Sequence, residues 1–212
     1  MDYALRTERL VVGYDGWASG VIDLEVAPGS ITAILGPSGC GKSTLLSTIA
    51  GIRPALSGRI LIDGEDVTGL PANERTAGMV FQEPLLFPNY DVARNVGYGL
   101  ERNGMSRREA RAQALELLDW VGLAGFGDRA VDELSGGQAQ RVALVRALAP
   151  RPTVVLLDEP FSALDVDLRQ RLAHEVSELL RARGVAAVHV THDPAEAVAI
   201  ADTVLRFDDI YH

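Results

Sequence analysis

Apolar positions along this chain change their period twice. In the first third they come in short runs broken by Gly, Pro and Asp, at residues 9–12, 21–26, 31–35, 59–62 and 78–81. Such runs predict strands separated by tight turns. Within 21–26 apolar and acidic residues alternate, Val21-Ile22-Asp23-Leu24-Glu25-Val26. That alternation predicts a sheet with one face open to water, hence an antiparallel layer.

From Ser106 the period lengthens to that of a helix. Ser106 and Glu109 form a capping box, Ala110, Ala114, Leu117, Leu118 and Val121 share one face, and Gly122 supplies a stop. A second box, Ser135 with Gln138, opens a helix that runs through Leu148 and ends at Pro150. Residues 153–158 then form an apolar run of strand length, as expected of a parallel strand covered on both faces. Leu168, Leu172, Val176, Leu179 and Leu180 place an amphipathic helix over 165–183, closed by Gly184. A strand over 185–190, a short helix opened by Asp193-Pro194-Ala195-Glu196 and a last strand over 203–207 complete the pattern. Strand–helix alternation on both sides of a helical middle predicts one α/β domain over 1–212. Its sheet core covers about 1–85 and 151–212, and a helical subdomain is inserted over about 86–150. There is no internal repeat and no low-complexity segment.

Composition narrows the classes. With 212 residues and 47% apolar content the chain buries one substantial core. A net charge of −9 argues against a broad polyanion-binding face, so nucleic acid is not an expected partner. The one cysteine, Cys40, excludes a disulfide framework and suits a reducing compartment. No basic-plus-apolar leader is visible, and no apolar run approaches the ~18 residues of a spanning helix. A cytosolic chain is expected, unless another subunit holds it at a membrane.

Three motifs carry chemistry. Gly36-Pro37-Ser38-Gly39-Cys40-Gly41-Lys42-Ser43-Thr44 is a complete G-x-x-x-x-G-K-[ST] phosphate loop between a strand-like run and a helix-like run. Its glycines let successive N–H groups turn onto β- and γ-phosphates, Lys42 supplies a cation, and Ser43 offers a hydroxyl to Mg²⁺. A glycine-rich turn without function is the duller alternative, and the flanking strand and helix argue against it. Asp158-Glu159 ends the buried strand, where α/β sheets collect ligands. Asp158 would hold Mg²⁺ through its water shell, and Glu159 would orient and activate the attacking water. Leu134-Ser135-Gly136-Gly137-Gln138 joins two glycines and a serine to a bare helix N-terminus, a second device for anions that could equally be a well-capped helix start.

In this order, together with Gln82, Ser162-Ala163-Leu164-Asp165 and His192, these motifs resemble the nucleotide-binding subunit of an ATP-binding cassette (ABC) transporter across nearly the whole sequence. The resemblance implies a P-loop nucleotide hydrolase core with an N-terminal antiparallel β layer and an inserted α-helical subdomain. It implies a Mg²⁺-dependent ATPase in which two copies, or two similar subunits, pair head to tail. Ser135, Gly136, Gly137 and Gln138 of one copy would then complete the phosphate site of the other. By the same resemblance Gln82 touches Mg²⁺ and the attacking water, His192 contacts the γ-phosphate, and Asp165 caps a helix and reaches across the dimer. Tyr14 lies where the family places an aromatic that stacks on adenine, with Trp17 a rival. His174, His189 and His212 have no such context. The stretch 85–96, with Leu85, Leu86, Phe87, Pro88, Tyr90 and Val92, reads either as packing of the insert or as a groove for a short helix of a membrane subunit. The details are most similar to bacterial importers of ferric iron, thiamine, polyamines or sugars. The implied partners are integral membrane permease subunits and an extracellular or periplasmic substrate-binding protein, with this chain peripheral on the inner face of the membrane. Ending at His212, the chain is expected to lack the C-terminal regulatory domain of several such subunits. A soluble ABC ATPase of DNA repair or translation, and a nucleotide-dependent scaffold, are the alternatives; the first usually adds coiled coils or a second cassette.

Overall fold

A computed structural model describes residues 3–14, 16–162 and 164–210. The chain forms two compact units. The first comprises the residues up to Met79, Thr153–Glu159 and those from Ala173 on; the second comprises Val80–Pro152 and Pro160–Leu172.

The first unit carries two layers of sheet. Strands β1 (Leu5–Val11), β4 (Ile22–Val26), β6 (Ser57–Ile62) and β7 (Glu65–Asp66) make an antiparallel sheet in the order β4-β1-β6-β7. In β4 buried and exposed residues alternate strictly, because Ile22, Leu24 and Val26 face the core while Asp23 and Glu25 face water. β1 begins four residues before the run read from sequence. A bulge explains the difference: Arg9 sits at φ +49°, and the register with both neighbours slips around it. The slip breaks the alternation that would otherwise have marked residues 5–11 as a strand. β2 (Gly13–Tyr14) and β3 (Trp17–Ala18) form a separate small hairpin.

The other sheet runs β11-β5-β10-β9-β8, built from β5 (Ile31–Leu35), β8 (Ala77–Val80), β9 (Val154–Asp158), β10 (Ala186–Thr191) and β11 (Thr203–Arg206). The pairs β10–β5, β10–β9 and β11–β5 are parallel. Every residue of β9 and β10 is buried, as their continuous apolar runs require. Helices α1 (Lys42–Ile49) and α6 (Pro194–Ile200) follow β5 and β10. Leu5, Leu10, Ile34, Leu45, Leu46, Ile49, Leu156, Val188 and Phe207 are among the side chains that fuse both layers into one core.

The second unit is helical, with α2 (Val92–Arg102), α3 (Arg107–Trp120) and α4 (Gly136–Leu148) around Val92, Val96, Leu118, Val142 and Val145. Both expected capping boxes form, at Ser106/Glu109 and Ser135/Gln138. Helix α2 has no counterpart in the sequence reading. Gly97 and Gly99 lower its helix propensity, and its start is set by Asp91, whose side chain accepts the N–H of Arg94 at 2.7 Å. The glycines are there for packing: a Cβ on Gly99 would lie 2.5 Å from Pro150. Helix α5 (Val166–Ala182) contributes to both units. Ala163 and His212, both named from the sequence, lie outside the described residues.

Candidate functional site

The phosphate loop leaves the end of β5 and enters α1. Gly41, the N-cap, has φ +111°, and a Cβ there would sit 2.4 Å from the Trp17 ring, so only glycine fits. No side chain caps α1 and no acidic residue lies in its first turn. Its leading N–H groups are therefore left for an anion, which the helix dipole favours. Pro37, Ser38 and Gly39 are exposed, as a loop that wraps phosphates requires. Lys42 is buried and turned back, with Nζ donating to the carbonyls of Gly36 at 2.7 Å and Pro37 at 2.8 Å. Those two carbonyls hold the ammonium where the loop curls. Thr44 is buried at the base of α1.

Asp158 and Ser43 are 115 positions apart in sequence, yet the Ser43 hydroxyl donates to Asp158 Oδ1 at 3.0 Å. Burial pushes the Asp158 carboxyl above its ordinary pKa and the charge of Glu159 adds to this; the Ser43 hydrogen bond, Lys42 and His189 oppose it. A buried carboxylate beside a hydroxyl is a hard-oxygen donor pair suited to Mg²⁺. Among the described residues no group of three or more His, Cys, Asp or Glu is placed to hold a metal ion.

Glu159 follows at φ +45°, a left-handed conformation costly for a side chain of its kind. Its N–H bonds to Val190 O at 3.0 Å, and its Oε2 lies 3.0 Å from His192 Nδ1. The unusual backbone angle thus aims the carboxylate at the imidazole. His192 is largely exposed and lines, with Gly36, Pro37 and Arg206, a pocket of about 430 Å³ beside the start of the phosphate loop. The turn that carries His192 is closed from beneath by a buried bond of 2.7 Å between His189 on β10 and Glu196 on α6. From the sequence His189 reads as an ordinary strand residue; nothing local signals this partner.

Trp17 packs against the core and the phosphate loop, whereas Tyr14 is 47% exposed and tilts against Trp17 at 5.6 Å between ring centroids. The Arg53 guanidinium stands 5.6 Å from the Tyr14 ring. Of the two aromatics, Tyr14 is the more exposed.

The second unit holds the remaining candidates. Ser135 is exposed; its Oγ accepts the N–H of Gln138 at 3.3 Å, and Gln138 Oε1 accepts the N–H of Ser135 at 2.9 Å. A Cβ on Gly136 would meet nothing within 4 Å, so packing does not demand that glycine, while one on Gly137 would meet Leu164 at 2.8 Å. Asp165 Oδ1 accepts the N–H of Leu168 at 3.0 Å, which caps α5. Gln82 is exposed on the loop after β8. Sequence reading overlooked Arg75, a buried side chain that donates to Thr48 and Ile49 at the C-terminal end of α1 and to Thr68 and Leu70.

A phosphate loop after a parallel strand, with the next strand but one delivering an acid to its serine, defines a P-loop nucleotide-binding domain. More narrowly, the chain belongs to the ABC transporter family, whose model matches residues 20–162. A Fe(3+) ions import ATP-binding protein, FbpC 1 of Rhizobium meliloti (strain 1021), is 53% identical over 188 residues, covering 89% of this chain and 53% of the relative. FbpC of Streptomyces coelicolor is 49% identical over 208 residues, covering 97% and 59%. The chain spans about half the length of the curated relatives it matches. Among solved structures, a dimeric post-hydrolysis state of the ATP-binding cassette MJ0796 bound to ADP and Pi superposes with a TM-score of 0.86 at 30% identity, covering 95% of this chain and 93% of the other.

Proposed function

We propose that this chain is the ATP-hydrolysing subunit of a bacterial importer, working as an ATP-closed pair of cassettes on the inner face of the membrane. The observation that carries the reading is the pair of contacts at the ends of β9 and β10: Ser43 to Asp158, and Glu159 to His192. The first places hard oxygens for Mg²⁺ at the mouth of the phosphate loop. The second joins a carboxylate able to take a proton from water to an imidazole beside the same loop.

In this reading ATP enters with its triphosphate over Gly36 to Thr44, and Lys42 leaves the Gly36 and Pro37 carbonyls for the phosphates. Tyr14 stacks on adenine, backed by Trp17. Ser43 and Asp158 are the residues that would hold Mg²⁺, which when bound would neutralise phosphate charge. Glu159 accepts the proton of the attacking water, and His192, oriented through Nδ1, has its other ring nitrogen left for the γ-phosphate. Gln82 aids in orienting that water. Ser135, Gly136, Gly137 and Gln138 of the second copy close over the γ-phosphate, with Asp165 also at the dimer contact. ATP then binds the closed pair more tightly than the open one, and hydrolysis releases it.

Among the described residues no helix is long and apolar enough to cross a membrane. Integral membrane permease subunits are the partners proposed to form the translocation path. The relatives are named for Fe(3+) import. Ferric iron is accordingly the cargo proposed here, delivered by a substrate-binding protein outside the membrane. Leu85 and Phe87, both exposed, and the Phe87–Tyr90–Tyr98 aromatic cluster form the docking face for a permease helix. Glu159→Gln tests the chemistry: ATP turnover should fall by about 10²- to 10⁴-fold. Turnover retained in that variant removes Glu159 from its role, and purification without a permease partner from membranes rules out the importer assignment.

A further inference from the structure

Between the strand β8 and helix α2 lies a segment, residues 81–87, that carries both Gln82 and the exposed Leu85 and Phe87. It has no regular structure, yet its carbonyls are held at three points. Gln140 Nε2 donates to Phe81 O at 2.9 Å. Arg146 forks onto two carbonyls, Nη1 to Leu85 O at 2.8 Å and Nη2 to Pro84 O at 3.1 Å, and its guanidinium lies 5.4 Å from the Phe87 ring centroid. Gln140 and Arg146 belong to one helix, α4, whose N-cap is Ser135. At the far end Asn95 of α2, fully buried, accepts the N–H of Phe87 at 2.8 Å and donates to Phe87 O at 3.1 Å.

Two features say that these bonds determine the shape of the segment. Leu85, a bulky non-glycine residue, sits at φ +43°, a conformation that persists only where surrounding contacts over-determine it. The contact at that residue is the Arg146 bond to its own carbonyl. Gln140 is 3% exposed, and its Oε1 is buried with no partner among the described residues. Its amide Nε2 makes the bond to Phe81 O away from water, where losing a polar partner costs most.

We propose that Gln140 and Arg146 are positioning residues that lace segment 81–87 to helix α4, so that the loop bearing Gln82 and the docking residues Leu85 and Phe87 moves with the helix bearing Ser135. The inference rests on the ATPase reading above for its consequence, but not for its geometry. A guanidinium bonded to two successive carbonyls fixes their orientation, which a lysine ammonium cannot reproduce. Leu85 and Phe87 then shift only as far as α4 shifts.

The test uses the full chain carrying Arg146→Lys or Gln140→Met, with kcat, KM for MgATP, thermal midpoint and amide hydrogen exchange measured together. The expected result is faster exchange confined to residues 82–87, unchanged protection within α2 and α3, KM within about twofold of the parent, and kcat lower by about 10- to 100-fold per folded molecule. Loosening confined to the loop identifies a tether. General loss of protection across the helical unit, or unchanged exchange at 82–87, overturns it. Unchanged kcat with a loosened loop removes the positioning role. Glu159→Gln is the control: if that variant keeps its turnover the ATPase reading fails, while the exchange result still decides the tether.

Discussion

Asp158 shows how a residue costly to the fold can be kept for the role proposed for it in the site. Its carboxyl is 7% exposed, and burial works against its charged form. Asp158→Asn keeps an oxygen to accept the Ser43 hydroxyl and removes the buried charge. The metal- and nucleotide-free variant should therefore melt at or above the temperature of the parent, while Mg²⁺-dependent ATP turnover is lost. Calorimetry and a turnover assay on one preparation check both; a variant clearly less stable than the parent would show that the carboxylate is held by more than Ser43, Lys42 and His189. At this scale the motifs were legible because each is contiguous: the phosphate loop, the Asp158-Glu159 pair and the Ser135 box stand in the sequence as unbroken words. Their geometry was not. That Lys42 folds back onto Gly36 and Pro37 depends on how the loop itself curls, and that Glu159 reaches His192 from a left-handed backbone angle depends on the end of a neighbouring strand.

Among the elements, α1 depends on a side chain that no pattern announces. Its N-terminal end is left bare for phosphate, and its C-terminal carbonyls at Thr48 and Ile49 are satisfied by Arg75, which also holds Thr68 and Leu70. Arg75→Ala removes the guanidinium from four carbonyls, of which Thr48 O keeps the Gly51 N–H, and should cost on the order of 3 kcal/mol, since a bond from a charged donor contributes about 1.5–3 kcal/mol. Chemical denaturation measures it, and a loss below about 1 kcal/mol would mean that water replaces the guanidinium freely. Elements with a clean period were readable: α3 and α4 from their capping boxes, β9 and β10 from apolar runs buried on both faces. Those without one were not. Two glycines masked α2, and the bulge at Arg9 hid half of β1, since a single inserted residue moves the following side chains to the opposite face.

For the whole molecule, the proposed ATP-closed pair makes a prediction that a single cassette cannot meet. Glu159→Gln with MgATP should elute from gel filtration at twice the mass of the nucleotide-free protein and return to it when ATP is removed. Ser135→Arg should abolish that shift; it also removes the N-cap of α4, at a cost of about 0.5–2 kcal/mol that leaves the protein folded by circular dichroism. A monomer under all conditions, with turnover intact in the parent, would require the γ-phosphate site to be complete within one chain.

By itself the sequence determined the α/β class, those strands and helices that keep a clean period, the helical insert, and the presence of a phosphate loop, an acidic strand end and a capped glycine pair. All of these are written in local periods and contiguous motifs, which neighbouring residues impose on one another. Only the tertiary structure decided which acid meets Ser43, how Glu159 turns toward His192, what closes the His192 turn, and which helix holds residues 81–87. Three of these join positions 33 to 115 apart in the chain and the His189–Glu196 bond spans seven, each through a few polar bonds; such bonds leave no period in the sequence because any donor brought to the right place by the fold can make them.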